Sequence, residues 1–80
     1  MALNEIDSTK IKAPTSTFIN EMRKKEADPE LYVEWLLLFD EYNKANPTKR
    51  KGMGCAPCYG VVYIWYQQEL KKLRDEEGGN

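Results

Sequence analysis

The chemistry available to this chain is concentrated in Cys55-Ala56-Pro57-Cys58, two thiols three residues apart ahead of an aromatic stretch. A thiol at a helix N-terminus becomes more acidic and more nucleophilic, which suits disulfide exchange. Two thiolates are also half of a tetrahedral zinc site. The chain has no His and no further Cys, so a second copy or a partner would have to close the shell. The plainer expectation is two small buried thiols packing where a helix begins, with no metal and no cofactor. The first residues lack a positive region followed by an apolar stretch, so the chain is expected to be intracellular at synthesis. Both thiols are then expected to be reduced, and a disulfide framework is not expected.

The second chemical cluster is Lys49-Arg50-Lys51 followed by Gly52. Three cations beside a flexible glycine can wrap a phosphate backbone, so these residues are candidate nucleic-acid contacts. The net charge of −1 argues against generic phosphate binding as the main task. Catalytic pairings are absent. Without His, triads and most general-base schemes fail. Asp40 and Glu41 are adjacent on a helix and so point apart. No Gly-rich phosphate loop follows a strand. The chain is therefore read as a non-enzyme with no catalytic residues and no small-molecule substrate.

Three amphipathic segments must position these clusters. Thr15, Ser16 and Thr17 are candidate caps for a first helix to about Ala27, with Phe18, Ile19 and Met22 as its apolar stripe. Asp28-Pro29-Glu30 is a strong start signal: a capping Asp, a Pro at the first helical position, and a Glu against the positive end of the dipole. The second helix should run to Asn43 or Ala45. Leu31, Trp35, Leu38 and Tyr42 form its inner stripe, and Tyr32, Leu36 and Phe39 widen it. Leu36 and Phe39 are expected to be core residues. With Val33 and Leu37 added, little of its middle is polar, so it either lies centrally or touches something on both sides.

Asn46-Pro47 ends that helix, and Pro57 stands where a third should begin. Tyr59, Tyr63, Tyr66, Leu70 and Leu73 step by four and three, with Cys58, Val61, Val62 and Trp65 alongside. Residues 61–66 are β-branched and aromatic enough for a strand, but no second strand-like segment exists to pair with them. Residues Met1 to Pro14 carry only Leu3, Ile6 and Ile11 among polar neighbours. They read as a frayed terminus or as an arm whose aliphatic pegs order on a neighbouring chain.

Cys-Ala-Pro-Cys resembles the redox motif of the thioredoxin family over four residues. That fold needs a sheet, which nothing here supplies. The order of helix, basic Asn/Pro/Lys-rich loop, Cys-x-x-Cys and aromatic helix resembles small accessory proteins of tailed phages. The residues concerned are Asn46 to Cys58 and the Tyr/Trp helix that follows. The resemblance implies a structural particle component at the head or the head–tail junction.

The expectation is an all-α protein, a small three-helix domain over 15–76 with an extended N-terminal arm over 1–14 and a flexible tail over 77–80. The heavy aromatic load for 80 residues suggests that some rings meet a partner. Leu3, Ile6, Ile11, Trp35, Tyr63 and Trp65 are the candidate partner-binding residues. The partner would be a larger protein or copies of the same chain, with no membrane involved, and the site of action would include a virion.

Overall fold

The computed structural model describes residues 3–78. It is all-α, as expected: α1 spans Ser16–Arg23, α2 spans Pro29–Ala45 and α3 spans Ala56–Gly78. Two single-turn 3-10 helices, Leu3–Glu5 and Ser8–Lys10, precede them. No strand occurs among the described residues, and Val61 to Tyr66 is helical.

Local chemistry sets each boundary. The Thr15 hydroxyl accepts from the Phe18 N–H and opens α1. The helix closes four residues earlier than its sequence suggests. The Glu26 N–H reaches the Glu21 carbonyl and the Lys25 N–H reaches that of Met22, with Lys25 at φ 60°. This is a Schellman closure with lysine where glycine is usual. The Asp28 carboxylate accepts from the Glu30 N–H at 2.9 Å, so α2 starts where its capping sequence indicates. Asn46 ends it by donating, from both backbone and side chain, to the Tyr42 carbonyl.

The longest helix, α3, packs against both α1 and α2. Its 23 residues would extend about 35 Å at helical rise, most of the 44 Å long axis of the molecule. The helix continues to Gly78, so residues 77 and 78 belong to α3 rather than to a tail. Gly79 and Asn80 lie outside the described residues, as do Met1 and Ala2 of the arm.

The core is aromatic. Trp35, Phe39 and Tyr42 from α2 meet Tyr59, Val62 and Tyr66 from α3, with Leu38, Cys58 and Met22 filling between them. Ring centroids lie 5.5 Å apart for Trp35–Tyr59 and 5.1 Å for Phe39–Tyr59, and Phe18 reaches Trp35 at 5.7 Å. Such tilted and edge-on pairs stabilise beyond the area they bury. Leu36 departs from expectation. It is 47% exposed, because the inward arc of α2 is filled by Trp35, Leu38, Phe39 and Tyr42.

The N-terminal segment folds onto this core and is not a free-standing arm. Leu3, Ile6 and Ile11 are 1%, 5% and 4% exposed. Polar contacts along α2 hold the segment down. The Asp7 N–H donates to the Glu34 carboxylate at 3.0 Å, and Lys10 pairs with Glu30, one turn earlier, at 2.9 Å. Asp7 itself accepts from the Thr9 hydroxyl and N–H, which closes the second 3-10 turn and holds its carboxyl below the usual range.

Candidate functional site

The three clusters singled out in the sequence fall in different places. The aliphatic pegs Leu3, Ile6 and Ile11 are spent on the chain's own core, so they do not present a partner surface. Trp35 is fully buried and is likewise not a contact residue. A three-helix core this small leaves one side of α2 uncovered unless the N-terminal segment closes it, and that closure consumes the pegs. Tyr63 and Trp65 are half-buried at the edge of the core, where Trp65 stacks edge-on with Tyr42 at 5.4 Å.

Exposed apolar surface is present, but it is aliphatic. Val33, Leu36 and Leu37 are 51%, 47% and 42% exposed and share the outer face of α2 at spacings of three and four. On α3, Val61 and Ile64 are 45% and 58% exposed and stand one turn apart. The signal for the α2 residues was present in the sequence, in the near absence of polar residues around the middle of that helix. The α3 pair was hidden, because Val61 reads as part of the inward stripe.

The basic loop borders the α2 face. Lys49 and Arg50 are exposed and Lys51 is half-buried. The loop is tied to α2 by a two-way bond. The Lys51 N–H donates to Asn43 Oδ1 at 2.7 Å, and Asn43 Nδ2 donates to the Lys51 carbonyl at 2.9 Å. A shallow groove between the loop and the helix is lined by Leu36, Phe39, Asp40, Asn43, Lys51, Gly52 and Met53. Apolar and cationic surfaces therefore adjoin at Leu36 and Lys51. Sequence reasoning missed Asn43, since a helical Asn gives no hint of a partner eight residues on.

No family model, no curated protein and no solved structure matches this chain.

Cys55 and Cys58 are joined by a disulfide, which corrects the expectation of two reduced packing thiols. The reason is geometric. The first turn of α3 brings their Cα atoms to 5.3 Å, within the span a disulfide bridges. Both sulfurs are taken up by that bond, so in this form neither is free to ligate a metal. Cys58 is buried in the core and Cys55 is half-buried. The Tyr59 hydroxyl donates to the Met53 carbonyl, and the Cys55 N–H donates to the Gly52 carbonyl at 3.1 Å, so the approach to the helix is folded on both sides of the sulfurs.

Burial pushes the Tyr59 and Tyr66 hydroxyls above the ordinary tyrosine range, helped for Tyr66 by the nearby Glu34 and Asp7 charges. The Tyr66 hydroxyl and the Trp35 indole N–H are buried without a hydrogen-bond partner among the described residues. No helix among the described residues is long and apolar enough to cross a membrane.

Proposed function

We propose that this chain is a helical protein–protein interaction module that binds a larger protein through the outer face of α2. The observation that carries this reading is the set Val33, Leu36 and Leu37, three large aliphatic side chains exposed on one helical face beside a cationic loop. Scattered apolar residues are ordinary on a surface, but a same-face group beside a charged rim has the make-up of an interface centre. Lys51, which shares a groove with Leu36, and the exposed Lys49 and Arg50 that precede it favour a partner whose apolar patch is flanked by carboxylates. The lack of His supports a binding role over catalysis. The resemblance of residues 46–58 and the following helix to tailed-phage accessory proteins favours a partner within a phage particle.

A photocrosslinker at position 37 should capture one dominant protein, while one at exposed Gln67 on α3 should not. The captured protein, once purified, should bind the wild-type chain and lose at least about tenfold in affinity to Leu37→Lys, equivalent to about 1.4 kcal/mol. Equal binding by Leu37→Lys would remove the α2 face from the function.

The anchored loop also favours a second reading, contact with nucleic acid through Lys49, Arg50 and Lys51. Its mark would be an affinity that falls steeply with salt concentration.

A further inference from the structure

The disulfide at the start of α3 is not used by the interaction face, and its surroundings differ on its two sides. Cys58 is only 8% exposed and packs among Tyr59, Val62 and the rest of the core, whereas Cys55 is half-buried and more open. Cys55 also immediately precedes a 23-residue helix, where a thiolate would face the positive end of the peptide dipoles. Gly54 and Gly52 stand in open space, with nothing near the position a Cβ would take. Gly54, bonded directly to Cys55, shares a shallow cleft with Asn20, Arg23 and Lys24. That lining holds two cations and no carboxylate. Cys55 is thus the less buried of the two and follows a glycine that lines a cationic cleft, while Cys58 is shielded.

We propose that Cys55 and Cys58 form a thiol–disulfide exchange site that oxidises a dithiol in a polypeptide bearing acidic residues next to its cysteines. In the first step the incoming thiolate attacks Cys55 Sγ. A mixed disulfide forms, the Cys55–Cys58 bond breaks, and Cys58 leaves with the electron pair as a thiolate that takes up a proton. In the second step the other thiol of the substrate gives up its proton and attacks its own sulfur in the mixed disulfide. A disulfide forms within the substrate, and Cys55 leaves as a thiolate at the helix N-terminus. The substrate loses two electrons and two protons, and the cysteine pair gains two electrons. The order follows from access, since the buried Cys58 sulfur is poorly placed to be attacked. This inference does not depend on the α2 interaction face.

The test uses the full chain and two synthetic Cys-x-x-Cys peptides, reduced, one flanked by Glu and the other by Lys. The acidic peptide should be oxidised by the wild-type chain about tenfold faster at low salt, with the gap closing as salt screens the cleft. The chain reduced with dithiothreitol should keep its helical circular dichroism. Its Cys55 should alkylate well before Cys58, with a half-maximal pH below the ~8.5 of a free thiol. A version of the acidic peptide with a single cysteine, which lacks the thiol needed for the second step, should be caught on Cys55 of the wild-type chain as a mixed disulfide, with Cys58 freed for alkylation. Unfolding on reduction would show that the bond is a structural staple and overturn the proposal. So would alkylation of both thiols in parallel at the pH of free cysteine, a result that needs no variant to fold. Equal rates for the two peptides would overturn the acidic-substrate assignment.

Discussion

Lys25 holds a left-handed backbone conformation at φ 60°, which costs a side-chain-bearing residue roughly 1–2 kcal/mol relative to the right-handed region. Its N–H and that of Glu26 satisfy the last carbonyls of α1, so the turn must be kept. Lys25→Gly is expected to stabilise the fold by about 1 kcal/mol, less what glycine adds to unfolded-chain freedom, read as a higher urea midpoint at unchanged slope. Tyr66 carries a different local cost, a buried hydroxyl with no partner among the described residues. Tyr66→Phe removes that group with little change of shape and should be neutral or stabilising by up to about 1 kcal/mol at pH 7. It should also alter the alkaline limb. Burial raises the folded hydroxyl above its ordinary value of 10.0, so the unfolded chain gives up its proton first. Stability is then fully present below about pH 10 and lost as pH rises toward the folded value. Denaturation midpoints measured between pH 8 and 11 should fall less steeply in Tyr66→Phe than in the wild type.

At the scale of elements, α2 separates two residues that its sequence pattern treats alike. Phe39 touches Trp35 and Tyr59 in the core, while Leu36 faces out beside the basic loop. Phe39→Ala should cost about 3–5 kcal/mol and Leu36→Ala under about 1 kcal/mol, measured by chemical denaturation. The N-terminal segment allows a sharper comparison. Leu3, Ile6 and Ile11 are each almost wholly buried, and each such side chain stabilises by ~1.5–3 kcal/mol. Removing residues 1–11 should therefore lower stability by on the order of 5 kcal/mol, much of what a small domain possesses. A truncated chain as stable as the full one would mean that the segment does not close the core.

At the scale of the whole molecule, the charge of the basic loop is kept apart from folding. Lys49 and Arg50 are exposed, and the loop that carries them is held by the backbone of Lys51 against Asn43. Replacing Lys49, Arg50 and Lys51 together by Gln should leave the thermal midpoint nearly unchanged, because Lys49 and Arg50 are exposed and Lys51 is held through its backbone rather than its charge. The same change should slow association with an acidic partner and weaken the salt dependence of its rate. Asn43→Ala, by contrast, should loosen the loop without altering its charge, visible as faster amide exchange at Lys51. Together the two variants separate the loop's charge from its placement.

The three helices, the sharp start of α2 and the absence of a sheet were legible in the residues themselves. Capping by Thr15 and Asp28, Pro29 at the first helical position, and apolar steps of three and four act within a few residues of chain. Which apolar residues face inward was not legible, because α2 and α3 carry more apolar surface than one small core can cover. Leu36 lies one turn from Phe39 and Val61 adjoins Val62 at the edge of the same apolar stripe, and only the packing of the helices decided which of each pair was buried. The destination of Leu3, Ile6 and Ile11 was also a tertiary matter. No local signal in a polar segment tells whether its pegs fill the chain's own groove or another's, and here Glu30 and Glu34 on α2 hold them at home. The cysteine spacing was plain from the start. The asymmetry between a half-buried Cys55 and a buried Cys58 arises only when α3 lies against its neighbours.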